Sequence, residues 1–80
     1  MKLPRDLSGP ALIRQLTKLG YAVTRQTGSH VRLTTLERGE HHITIPTHDP
    51  LRIGNLAAIL AAVAAHQGVS RDELLNRLLG

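Results

Sequence analysis

Five histidines, His30, His41, His42, His48 and His66, are the side chains here that ordinarily change charge near neutral pH. His30 follows Gly28-Ser29 and opens a segment in which polar and apolar residues alternate, with Arg25 and Arg32 on either side of it in sequence. RNA cleavage by transesterification needs what such a group supplies: a base for the 2′-hydroxyl proton and an acid for the leaving oxygen, with cations on the phosphate. Arginine serves the last role well, because its guanidinium meets a phosphate with two N–H groups at once. The plainer account of His30 is an exposed strand residue with no role, the commoner case for a lone histidine on a sheet surface. His48 is a second candidate, since strand pairing places it at the same sheet end as His30; its plainer role is turn chemistry beside Asp49-Pro50. His41 and His42 are neighbours in a strand, so they point to opposite faces and cannot share one metal; His42 is turned to where RNA could touch it, but its plainer role is that of a tolerated surface residue. His66 stands at a helix end, where a cation favours the dipole, and is assigned no function. No pair of residues has metal-ligand spacing and the six carboxylates are dispersed, so neither a metal nor another cofactor is expected.

The elements that must position these residues show in the change of period. Ser8-Gly9-Pro10 offers a helix cap and a first-turn proline; Leu12, Ile13, Leu16 and Leu19 recur at helical spacing until Gly20. From Tyr21 the period is two: Tyr21, Val23 and Arg25 alternate with Ala22, Thr24 and Gln26, up to the turn Thr27-Gly28-Ser29. His30, Arg32 and Thr34 then alternate with Val31 and Leu33. Glu37-Arg38-Gly39-Glu40 makes a second turn, and a third strand runs from His41 to Ile45 and ends at Pro46. Centring that turn on Arg38 sets Val31 opposite Ile45 and Leu33 opposite Ile43. The first hairpin admits two registers. Centred on Gly28, it aligns Val23 with Leu33 and Ile43 but turns Arg25 toward the helices. Centred between Thr27 and Gly28, it puts Arg25 on the His30 face. A bulge near Gln26 would reconcile the two. Beyond the loop Thr47 to Leu51, Asn55 is the expected cap of a helix with Leu56, Ile59, Leu60 and Val63 on one face, broken by Gly68. Ser70 to Glu73 reads as a capping box ahead of Leu74, Leu75, Leu78 and Leu79. The expected fold is α+β, in the order α-β-β-β-α with a short extra C-terminal helix, as one domain over residues 1–80. Helices cover one face of a three-stranded antiparallel sheet, and the other face carries His30, Arg32, Thr34, His42 and Thr44.

Composition narrows the function classes. The chain has 80 residues, ten Lys and Arg against six Asp and Glu, and no cysteine, which excludes a disulfide scaffold, a thiolate metal site and a cysteine nucleophile. Residues 1–35 hold six basic residues and one acidic, hence +5, whereas residues 36–80 hold four basic and five acidic, hence −1. A basic half on a small protein suits a polyanion. Tyr21 is the sole aromatic residue, which argues against folds that stack bases on rings and implies that RNA would be held at its phosphates with weak sequence selectivity. No apolar run approaches the ~20 residues of a membrane span, and no signal-type apolar stretch opens the chain, so a soluble cytoplasmic protein is expected. From Ile53 to Ser70 there is no Asp, Glu, Lys or Arg, and six alanines pad the helix. That run is either simple helix propensity or a surface that packs on a partner protein.

Five pieces in order, Leu19-Gly20-Tyr21, Arg25, Gly28-Ser29-His30, Ile45-Pro46-Thr47-His48 and Gly54-Asn55-Leu56, resemble the HicA-type toxins over residues 8–66. The resemblance implies a fold like the double-stranded-RNA-binding domain and a metal-independent endoribonuclease acting on mRNA, the toxin of a type II toxin–antitoxin pair. It places the catalytic histidine at His30; the reading of the residues adds Arg25, Ser29 and Arg32 as RNA-binding residues and His48 as a second proton carrier. It also implies a HicB-type antitoxin as partner, covering the active face. Tyr21 and Asn55 stand where the family usually has Phe and Thr, and the tail from Gln67 is longer than in its shortest members. Two other readings use the same features. One is a non-catalytic RNA-binding module working through the basic face; the other is a protein-interaction domain working through the alanine-rich helix at residues 55–66.

Overall fold

In a computed structural model, which describes residues 3–79, the Ser8 hydroxyl accepts the Ala11 N–H at 3.1 Å and starts α1 (Gly9–Lys18), with Pro10 in its first turn. Leu12 and Leu16 are fully buried, and Gly20 (φ 103°) turns the chain out of the helix. Three strands follow, β1 (Ala22–Thr27), β2 (His30–Thr35) and β3 (His41–Pro46), in the antiparallel order β1-β2-β3. Two helices complete the chain, α2 (Ile53–Gln67) and α3 (Arg71–Leu79). This is the α+β arrangement expected from the sequence, with the helices on one side of the sheet. Among the described residues no single helix is long and apolar enough to cross a membrane.

The second hairpin has the expected register, with Val31 opposite Ile45, Leu33 opposite Ile43 and His30 opposite Pro46. In the first hairpin neither uniform register holds. Gly28-Ser29 closes the turn with Thr27 opposite His30, while Val23 still faces Leu33, and the difference is absorbed by a bulge between Val23 and Arg25. The bulge therefore sits at Thr24, two residues before the expected place. Val23 does not join the core despite its pairing and is 50% exposed, because α2 lies against β3 and leaves β1 at the margin. The apolar centre is instead Leu33, Ile45, Leu51, Leu56, Leu60, Val63, Leu74 and Leu75 together with the α1 leucines.

The helix starts divide between expectation and correction. Ser70 accepts the Glu73 N–H at 3.1 Å, the forward half of the capping box, but the Glu73 carboxylate turns to Arg77 at 3.2 Å instead of reaching back. Asn55 is not the cap of α2. The helix begins at Ile53, with Arg52 in the cap position and its carbonyl accepting the Leu56 N–H at 2.9 Å. Leu51, only 2% exposed, anchors the chain just ahead of this turn, and the helix starts earlier than side-chain capping alone suggests.

Candidate active site and nucleic-acid interface

Backbone bonds define the sheet end where His30 sits. Gly28 supplies the left-handed conformation (φ 56°) that closes the hairpin, and His30 follows as the first residue of β2. The Thr47 N–H donates to the Ser29 carbonyl at 2.8 Å, extending the β2–β3 pairing one step past Pro46, and the Thr47 hydroxyl donates to the same carbonyl at 3.3 Å. His48 comes next. Its carbonyl accepts the Gly9 N–H at 2.8 Å, which ties the loop to the start of α1. At Gly9 an added Cβ would collide with the Pro46 carbonyl oxygen, so the helix start and the strand end meet backbone to backbone. His30 and His48 are therefore brought to one end of the sheet, both exposed, as the sequence reading places them.

The bulge decides the electrostatics of the face. It turns Arg25 to the open side, opposite Arg32, while Val23 stays on the helix side. Two arginines face one another across the strands, and neither has an ion-pair partner among the described residues. Like charges placed directly opposite are destabilising, and no carboxylate here offsets them. Strand rise puts Arg32 about 7 Å along β2 from His30. An exposed histidine thus adjoins two arginines whose ten N–H groups in all are free for an anion.

A further set of polar residues occupies the opposite end of the same face. Thr24 and Thr34 hydroxyls meet at 2.9 Å, Thr34 Oγ1 meets His42 Nδ1 at 2.7 Å, and His42 Nε2 meets Glu40 Oε2 at 2.8 Å. The sequence reading placed Thr34 and His42 on this face but gave no part to Thr24 or Glu40. The signal for Glu40 was its period-two spacing from His42; Thr24 was hidden by the bulge.

His41 lies on the helix side, opposite in sense to His42 as strand geometry requires. Its Nδ1 shares a hydrogen bond with the Tyr21 hydroxyl at 2.8 Å, and its ring stacks on His66 with centroids 4.4 Å apart. His66 Nε2 donates to the Glu37 carbonyl at 2.8 Å. Burial, then the neighbouring His66 and His42, hold the His41 imidazole below the usual histidine range. Burial pushes the Tyr21 hydroxyl up, and the Gln67 amide offsets part of that rise although its Nε2 completes no hydrogen bond of ordinary geometry. His66 thus has a structural role that sequence alone did not assign. Among the described residues there is no group of three His, Cys, Asp or Glu placed to hold a metal ion.

No curated protein and no solved structure matches the chain significantly. The model of one family, described as the HicA toxin of bacterial toxin–antitoxin systems, matches residues 9–64, from the first residue of α1 to within the last turn of α2. That stretch holds all three strands, both exposed histidines at the turn end and the arginine pair. The chain belongs to the HicA toxin family, and with that membership comes an antitoxin partner.

Proposed function

We propose that this toxin is a metal-independent endoribonuclease that cleaves mRNA in the cytoplasm and is silenced by a HicB-type antitoxin seated over the open sheet face. The observation that carries this reading is an exposed His30 beside the Arg25–Arg32 pair, two facing cations with no counter-ion among the described residues. In the reaction His30 takes the proton of a 2′-hydroxyl, and that oxygen attacks the adjacent phosphorus. The bond from phosphorus to the 5′-oxygen breaks as that oxygen receives a proton, for which His48 is the candidate donor. The products are a 2′,3′-cyclic phosphate and a free 5′-hydroxyl, so atoms and charge balance with no oxidant or further reactant. Arg25 and Arg32 stabilise the extra negative charge that builds on the phosphorane oxygens, and the Ser29 hydroxyl can donate to the same group.

Inducing the chain and its His30→Ala variant in cells tests the assignment. The parent should arrest growth and degrade mRNA, and the variant should lose about 10²–10⁴-fold in purified cleavage rate, the range of general acid–base catalysis. Equal arrest by both, or no RNA degradation by either, would sink the catalytic role. Unchanged RNA affinity with no cleavage by the parent would point to the non-catalytic RNA-binding module.

A further inference from the structure

The row Thr24–Thr34–His42–Glu40 crosses all three strands at the end of the open face remote from His30. Its hydrogen bonds can run in one consistent direction, the Thr24 hydroxyl being shared between Thr34 at 2.9 Å and the Arg32 carbonyl at 3.4 Å. When His42 Nε2 donates to Glu40, Nδ1 is left to accept the Thr34 hydroxyl proton, and Thr34 Oγ1 can accept the Thr24 hydroxyl. The row ends on a carboxylate held in place through Oε2, with Oε1 uncommitted among the described residues. Glu40 is 65% exposed and His42 37%, so the row can be reached from solvent.

Position along β2 says what would reach it. Thr34 lies about 13 Å from His30 at strand rise, twice the step to the arginine pair. If the scissile phosphate sits at His30 and the next at Arg25 and Arg32, the following nucleotide arrives at Thr34 and Glu40. A phosphate is repelled there by the Glu40 charge, so a base must occupy the place. A fixed carboxylate accepts N–H groups, as acidic side chains do from the cytosine amino group. Uracil turns a carbonyl to the same spot, where two acceptors oppose each other. We propose that this row is a base-reading subsite, selecting a base with an exocyclic amine over uracil two nucleotides from the scissile phosphate. It rests on the reading of the His30 face as the RNA site, and it confines selectivity to one position.

The probe is a single-stranded oligouridylate containing one cytidine. The protein should cut the bond two nucleotides from the cytidine about fivefold or more faster than the remaining bonds, the worth of about one net hydrogen bond. Glu40→Gln presents an amide that can donate to uracil as readily as accept from cytosine, so its cuts should spread evenly along the strand. Thr34→Val, which frees the His42 ring, should lose part of the preference. Even cutting by the parent protein, or a preference that Glu40→Gln retains, overturns the subsite while leaving the nuclease reading intact. If no strand is cut, the nuclease reading has failed, and the subsite is judged by affinity. Tighter binding of the cytidine strand than of pure oligouridylate, lost in Glu40→Gln, upholds it; equal affinities overturn it.

Discussion

An arginine set opposite an arginine works against the sheet that carries it. The pairing of Arg25 with Arg32 costs stability through repulsion, and no described carboxylate relieves it. Replacing either by alanine should therefore leave the melting temperature unchanged or slightly higher. RNA binding should fall by about tenfold, and the salt dependence of binding should flatten by about one phosphate contact per arginine removed. Fluorescence anisotropy across a salt series, beside a thermal melt, checks both halves. A variant that loses stability and keeps its salt slope would mean that the arginines serve the fold and not the RNA. His48, like His30, is held by its backbone, here through the bond from the Gly9 N–H to its carbonyl.

At the scale of elements, the joints between helices and sheet carry the site. Gly9 lies where α1 meets the end of β3, with no room for a Cβ against the Pro46 carbonyl. Gly9→Ala should cost about 1–3 kcal/mol by overpacking and should also displace His48, so cleavage falls further than the loss of folded protein explains. Chemical denaturation together with activity per folded molecule would show it. The second joint is the stack of His41 on His66, faced by Tyr21 and the Glu37 carbonyl, with His42 next in the strand on the opposite face. The folded state holds His41 below its ordinary value of 6.5, so under that pH the unfolded chain binds more protons than the folded one. Stability is then full above the unfolded value and declines as pH falls through the window beneath it. Tyr21, shifted upward from 10.0, plays no part in that window. In His66→Gln one of the two histidine neighbours of His41 is gone, and the drop in melting temperature between about pH 7.5 and about pH 5.5 should shrink. An unchanged drop would show that His66 has no part in the lowering, leaving it to burial and His42.

For the molecule as a whole, one small core supports an uncovered working face. Leu60 is fully buried at the centre of α2, and Leu60→Ala should cost about 2–5 kcal/mol. Against the roughly 5–15 kcal/mol of a typical domain, that is a large share, and a urea titration should show the midpoint fall accordingly. The same arithmetic bears on the antitoxin. A partner that binds only the folded toxin raises its apparent stability by mass action, most visibly for such a weakened variant. The helices face inward, and α2 turns Leu56, Ile59, Leu60, Val63 and Ala64 to the core, which leaves Ala58, Ala61 and Ala65 outside. Packing on the sheet accounts for the charge-free inner side of this run, and the alanines on its outer side are strong helix formers. Net positive charge gathers in the half of the chain that supplies α1, β1 and β2, so the open face and its rim are where a polyanion would be drawn.

Much of this was legible in the residues because local rules carry it. Ser8, Gly20, Gly28 and Ser70 mark helix and hairpin ends through bonds to near neighbours, and the symmetry of the second turn about Arg38 fixes the pairing of β2 with β3. His30 on the open face follows from period-two alternation alone. What the sequence left open were the choices that depend on distant contacts. The bulge at Thr24 reconciles two registers only because Leu33 must stay buried while Arg25 is turned to water. The exposure of Val23 depends on where α2 comes to rest, and the start of α2 at Ile53 follows the anchoring of Leu51. The stacking of His41 on His66 joins residues 25 positions apart, and no periodicity encodes such a contact. Local hydrogen bonding determined which residues could do chemistry, and packing decided which of them meet.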